Sequence, residues 1–189
     1  MRRFPGNVRI CITAGSCFFT ALLLLVLPLP WVLAAVFAAG IHEICHIAAI
    51  YFCGGRVNCI TLGGRGAVLE TEPMSPGREL ICALAGPMGG LILLLFAKWV
   101  PRVAVCAGVQ SLYNLLPVYP LDGGRAIRCG AELLFPKWGG NLCVLLEKCC
   151  LFGTVILAVY ASFWLKLGLI PILFAVMLLL KGKNTLQSR

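Results

Sequence analysis

The only two histidines of this chain of 189 residues stand four positions apart, in the segment His42-Glu43-Ile44-Cys45-His46. In a helix this spacing places both imidazoles on one face, one turn apart, with a carboxylate beside them. A zinc hydrolase needs two neutral nitrogen ligands and a general base for the attacking water. The segment therefore predicts a zinc hydrolase site in which Glu43 is the general base.

The surroundings of this motif are unusually apolar. Between Trp31 and Phe52 the only charged residue is Glu43. Over the whole chain 60% of the residues are hydrophobic and 12% are charged, about half the charged fraction usual for soluble domains. The predicted chemistry therefore belongs inside a membrane.

Segments of about 20 mostly apolar residues are long enough to span a bilayer, and the sequence contains six candidates. They cover roughly 10–27, 31–53, 79–99, 102–121, 143–164 and 166–181. Pro28-Leu29-Pro30 separates the first two segments, which predicts a helical hairpin instead of one long helix. We predict an all-α polytopic membrane protein of about six transmembrane helices, formed as a single integral-membrane domain over residues 1–189.

The net charge of +9 is explained by membrane topology. With six spans and a cytoplasmic N-terminus, all lysines and arginines except Lys98, Arg102 and Lys166 fall on the cytoplasmic side, as the positive-inside rule expects. Both termini are then cytoplasmic. No basic block is interleaved with aromatic residues as a nucleic-acid surface would be, so we expect no nucleic-acid partner.

A cleaved signal peptide is the alternative for the N-terminus, since Met1-Arg2-Arg3 precedes an apolar run at 17–27. Cleavage at the small residues of 34–39 would leave the histidine segment too short to span a bilayer. We therefore expect this segment to be retained.

A catalytic zinc site normally has a third protein ligand, and several residues are candidates. Asp122, the only aspartate, lies in Pro120-Leu121-Asp122-Gly123-Gly124, whose residue types suit a simple turn equally well. Glu70 is the main competitor, because some zinc hydrolases take a downstream glutamate as the third ligand. Cys53 and Cys82 are alternative thiolate ligands, although the eleven scattered cysteines are mostly expected to be buried apolar side chains.

Three elements together resemble the site-2 protease family of intramembrane zinc metalloproteases. They are the histidine motif in a membrane span, Ala85-Gly86-Pro87 in the next span, and the N-x-x-P-x-x-P-L-D-G element from Asn114 to Gly123. The chain is most similar to the sporulation stage IV FB type, which shares a six-span plan. The resemblance implies that His42, His46 and Asp122 bind one Zn²⁺, that Glu43 is the catalytic acid/base, and that Asn114 helps to position the substrate. The catalytic core would cover about 31–125.

The chain departs from the family pattern at two places. Many members have an asparagine shortly after the Ala-Gly-Pro element, where this chain has Met88-Gly89-Gly90, so no polar role is carried over to this position. The chain ends shortly after its last predicted span, and we expect no PDZ or CBS domain.

Residues 57–71 predict two short strands around a glycine turn at 63–66. The resembled family has a membrane-dipping hairpin at this place, and a hairpin beside the site could hold an extended substrate by strand addition. A flexible cytoplasmic loop is the alternative.

For Asp122 to reach the histidines, the fourth span must tilt or unwind, which Pro117 and Pro120 favour. We expect the site to open towards the cytoplasm.

The resemblance implies cleavage of a peptide bond in or near the transmembrane segment of a membrane-associated protein. A pro-sigma factor or another regulatory pro-protein is the expected substrate, and inhibitory membrane proteins are expected partners beside the lipid bilayer. The first alternative is a catalytically silent membrane scaffold of the same fold. A metal transporter is the second, and it would need more polar ligands along several spans than this chain supplies.

Overall fold

The computed structural model describes residues 9–63, 66–164 and 175–176. Within these ranges the chain is mostly helical and contains one three-stranded sheet. It divides into two compact units, Met1–Tyr113 and Asn114–Arg189. The predicted span at 166–181 lies outside the described residues apart from 175–176. Six basic residues of the topology prediction also lie outside them: Arg2, Arg3, Lys166, Lys181, Lys183 and Arg189.

The described part of the first unit contains three strands and four helices. The strands are β1 (Arg9–Ile12), β2 (Val57–Gly63) and β3 (Gly66–Thr71); the helices are α1 (Ala14–Val26), α2 (Leu29–Phe52), α3 (Pro76–Leu93), which continues into a 3-10 turn at Leu94–Phe96, and α4 (Pro101–Asn114). The elements described in the second unit are α5 (Asp122–Leu134) and α6 (Gly139–Phe163).

Three helices in the described part of the chain are long and apolar enough to cross a membrane. They cover Leu29–Phe52, Pro76–Phe96 and Gly139–Tyr160, which indicates a membrane protein. The predicted number of six spans is not confirmed. Helix α1 has 13 residues and α4 has 14, which at 1.5 Å per residue gives about 20 Å, less than the roughly 30 Å of a bilayer core.

Helix α2 carries the histidine motif and has defined ends. Pro28 and Leu29 precede Pro30 at its beginning, where the missing N–H of a proline costs no helical hydrogen bond. At its other end Gly54 has a φ of +77°, a left-handed conformation that glycine adopts without strain and that commonly ends helices. The amide of Gly55 then donates to the carbonyl of Ile50 at 2.8 Å.

The predicted hairpin is present and has a third strand beside it. Strands β2 and β3 pair antiparallel from Val57↔Thr71 to Gly63↔Gly66. Strand β1 pairs with β2 in parallel, from Arg9↔Cys59 to Ile12↔Leu62. The prediction that residues 10–12 belong to the first span is therefore wrong: α1 begins only at Ala14. The physical reason is backbone pairing, since Thr13 also donates from its amide to the Leu62 carbonyl at 2.9 Å.

An apolar cluster joins the sheet to the C-terminal part of α2 and to α3. Its buried members are Ile50, Val57 and Cys82, against which partly buried side chains pack: Ala49, Cys53, Ile60, Leu69 and Met74. All eleven cysteines are free thiols. The two cysteines considered as zinc ligands thus lie in this apolar cluster.

Helix α3 presents glycines to both of its neighbouring helices. A Cβ added at Gly89 would collide with the Cys45 side chain on α2, and one added at Gly90 would collide with Ser111 Oγ on α4. Membrane helices pack closely through such small residues because a missing side chain lets the backbones approach. This close approach packs α3 against both α2 and α4.

Candidate metal centre

The two histidines lie one turn apart on α2 and are almost completely buried. His42 is 3% and His46 is 6% exposed. Their Nε2 atoms are 3.1 Å apart, and the two rings are nearly perpendicular, at 82°. The helix therefore directs two imidazole nitrogens at one point, as the spacing of the motif predicts.

A hydrogen bond at Nδ1 fixes the tautomer and the orientation of the His46 ring. Its Nδ1 lies 2.7 Å from the backbone carbonyl oxygen of Cys82 on α3. A carbonyl can only accept, so Nδ1 must carry the proton and donate it. The Nε2 lone pair then points towards His42. Metal-binding histidines are commonly oriented by such a hydrogen bond from the second ring nitrogen.

Asp122 is the first residue of α5 and is 9% exposed. The positive end of the helix dipole favours a carboxylate in this first turn. The preceding segment 115–121, which contains the prolines expected to interrupt the fourth span, is not helical. It packs tightly against α5, because a Cβ at Gly123 would collide with the Leu115 carbonyl and one at Gly124 would lie 2.6 Å from the Tyr119 nitrogen.

The ligand atoms of His42, His46 and Asp122 all lie within 4.8 Å of one another, and all three residues are buried. Among the residues that the structure describes, no other group of three or more such side chains is close enough to hold a metal ion. Two imidazole nitrogens and a carboxylate oxygen are a donor set that Zn²⁺ takes in catalytic sites, where a fourth position stays open. The cluster can therefore bind one metal ion.

The other predicted site residues are placed as follows. Glu43 is half-buried on α2 directly after His42, and Asn114 is half-buried at the end of α4. Glu70 lies in β3 opposite Cys59 and is not part of the cluster. Cys82 touches the site through its backbone carbonyl, a contribution that no side-chain pattern in the sequence indicates.

Cys11, which lies outside the membrane helices, has a thiol with a raised pKa. A hydrogen bond to Cys59, followed by the charge of Cys59, raises the pKa of Cys11 on β1 above its ordinary value. This pair lies on the sheet and is not part of the metal cluster.

No family model matches the chain, but individual proteins do. A protein of Synechocystis named as a proposed zinc metalloprotease is 32% identical over 122 residues. Rip3 of Mycobacterium tuberculosis, named in the same way, is 30% identical over 106 residues. The alignments cover 52% and 46% of this chain. They cover only 32% and 27% of the relatives, so the chain spans about a third of their length.

A solved structure extends this similarity to nearly the whole chain. The site-2 protease from Methanocaldococcus jannaschii matches with a TM-score of 0.65 and 17% identity, over 97% of this chain and 94% of that one. The chain is thus a membrane protein that has the fold of a site-2 protease. Together with the two relatives, this fold supports the resemblance to the site-2 protease family.

Proposed function

We propose that this protein is an intramembrane zinc metalloprotease of the site-2 protease type. The observation that carries the proposal is the buried group of His42, His46 and Asp122, whose ligand atoms lie within 4.8 Å of one another. The names of the two relatives support zinc as the metal and proteolysis as the activity. We place the chain nearest to the sporulation stage IV FB type on its sequence motifs.

Each site residue would have its own role in peptide-bond hydrolysis. His42, His46 and Asp122 would hold the ion, which when bound supplies Lewis-acid polarisation and lowers the pKa of water. Glu43, half-buried beside His42, takes a proton from the attacking water and delivers it to the leaving amine nitrogen. Asn114 at the end of α4 positions the substrate backbone.

The depth of the site in α2 supports cleavage within or close to a membrane. His46 lies six residues before the end of the helix at Phe52, about 9 Å along the axis at 1.5 Å per residue. Arg56 follows this end and Arg78 lies in the first turn of α3, which by the positive-inside rule favours the cytoplasm on this side. We therefore propose that the site opens to the cytoplasm.

The sheet offers a way to hold the substrate in an extended conformation, which a protease needs because a helix hides the amide bond. Strand β2 is central, so β1 and β3 are the edges among the described strands. A substrate segment that pairs with the free edge of β3 would be held by backbone hydrogen bonds. The substrate class is a membrane-associated pro-protein, of which a pro-sigma factor is one example, with inhibitory membrane proteins as regulators.

A cleavage assay with two matched variants tests this proposal. A membrane-anchored pro-protein is co-expressed with wild type, with Glu43→Gln, or with Glu72→Gln, which changes an exposed glutamate in the loop after β3. We expect cleavage by wild type and Glu72→Gln and none by Glu43→Gln, while Glu43→Gln retains its zinc. Cleavage by Glu43→Gln at the wild-type rate would refute its role. A wild-type protein that binds no zinc would favour the scaffold, whereas zinc binding without cleavage would exclude this pro-protein as the substrate.

A further inference from the structure

The backbone of α3 contacts the His46 ring at a second place, Gly86. A Cβ built on Gly86 would be nearest to Nε2 and 2.6 Å from both Cδ2 and Cε1 of His46. These two carbons flank Nε2, and equal short distances to both place the methyl group over the face of the ring. A group in the ring plane, along the Nε2 lone pair, would be farther from both carbons. The imidazole therefore lies flat against the backbone at Gly86.

The same turn of α3 also contacts the second ring nitrogen of His46, Nδ1. Cys82 precedes Gly86 by four residues, one helical turn, and its carbonyl oxygen accepts the Nδ1 hydrogen bond at 2.7 Å. One turn of backbone thus contacts His46 at both nitrogens. Pro87 follows directly inside the helix and is completely buried, so this turn is packed in place by its neighbours.

We propose that Gly86 is a positioning residue for the metal ligand His46. The absent side chain lets the ring rest on α3, and the Cys82 carbonyl sets its tautomer, so that Nε2 faces His42. Outer contacts of this kind change metal affinity by about 10–100-fold when they are lost. The inference depends on the proposed zinc site and not on the identity of any substrate.

The chain provides two controls for Gly86→Ala. Gly40 lies in α2, where an added Cβ meets nothing within 4 Å. Gly90 lies one turn after Gly86 on α3, where an added Cβ would meet Ser111 and the Ala107 carbonyl instead of His46. A glycine whose role is only helix packing should behave like Gly90, and a glycine in open space like Gly40.

The test measures zinc affinity by chelator competition in detergent for wild type and the three alanine variants. Gly86→Ala should bind zinc about 10–100-fold more weakly, and Gly40→Ala should bind it like wild type. Thermal unfolding of the metal-free proteins is then measured with and without His46→Ala. Removing the imidazole makes room for the methyl group, so His46→Ala should abolish the destabilisation caused by Gly86→Ala but not that caused by Gly90→Ala.

Three results would overturn the inference: unchanged zinc affinity in Gly86→Ala, a destabilisation that persists after His46→Ala, or a wild-type protein that binds no zinc. If Gly86→Ala alone does not fold, the double variant Gly86→Ala/His46→Ala should still do so, and failure of both would assign Gly86 to helix packing. Loss of substrate cleavage is not a readout here, so failure of the proposed protease activity leaves this test intact.

Discussion

The position of Asp122 depends on close packing of Gly123 against the backbone of Leu115 and Leu116, which a single added methyl group should disrupt. At Gly123, the residue after Asp122, an added Cβ would collide with the Leu115 carbonyl and lie 2.7 Å from the Leu116 carbonyl oxygen. Both are backbone atoms, which cannot rotate away as a side chain could. Gly123→Ala must therefore push the segment 115–121 and the start of α5 apart, and Asp122 with them.

The size of the effect follows from two opposing contributions. Overpacking of a filled site typically costs 1–3 kcal/mol, while alanine in place of glycine in a helix gains at most about 1 kcal/mol. We expect Gly123→Ala to be destabilised by about 1–2 kcal/mol. Gly130→Ala in the same helix meets nothing within 4 Å, so it should be stabilised by up to about 1 kcal/mol.

The assay compares the two variants with wild type by thermal unfolding in detergent. For a chain of this size, 1 kcal/mol corresponds to roughly 2–4 °C, so the midpoints of the two variants should move in opposite directions. Zinc affinity, measured in parallel, should fall only in Gly123→Ala. Gly123→Ala with the stability and zinc affinity of wild type would refute the proposed tight packing of the segment on α5.

Three further predictions concern single side chains. Asp122→Asn should lower zinc affinity roughly tenfold or more, because a neutral amide is a poorer ligand than a carboxylate; equal affinity in chelator competition would exclude it as a ligand. Ser111 is completely buried, and its hydroxyl has no hydrogen-bond partner among the described residues. Ser111→Ala should therefore be neutral or stabilising in thermal unfolding, whereas a clear loss of stability would reveal a partner. The Cys59 contact raises the pKa of Cys11, so less of the Cys11 thiol is thiolate at a given pH. Cys59→Ala should therefore speed alkylation of Cys11 near pH 8, measured by peptide mass spectrometry. An unchanged alkylation rate would contradict this contact.

The residues of the site could be selected from the sequence because each is rare in its surroundings. The chain has two histidines and one aspartate in a largely apolar sequence, and a buried charge or imidazole requires a reason. The spacing of His42 and His46 also specifies their common face once the segment is helical. The competition between Asp122 and Glu70 could not be decided locally, because it depends on which backbone segment approaches α2.

Other parts of the structure could not be read from local patterns. Residues 10–12 are apolar and continuous with α1, and a short apolar run does not distinguish a strand from a helix; only pairing with β2 decides it. The sequence pattern does not indicate helix α5, since Gly123 and Gly124 at its beginning are residue types typical of a turn. The support of His46 by Gly86 and Cys82 involves backbone contacts between α2 and α3, for which the sequence contains no direct signal.

The central claim, a zinc site built from His42, His46 and Asp122, is tested most directly by the metal content of the purified protein. Wild type and His46→Ala are purified in detergent, reconstituted with Zn²⁺ and desalted. Their zinc content is then measured by inductively coupled plasma mass spectrometry. We predict about one zinc per wild-type chain, as the single cluster in the described residues implies, and a loss of most of it in His46→Ala. A wild-type protein without zinc, or a His46→Ala variant that binds it equally, would contradict the assignment of this cluster as the metal centre.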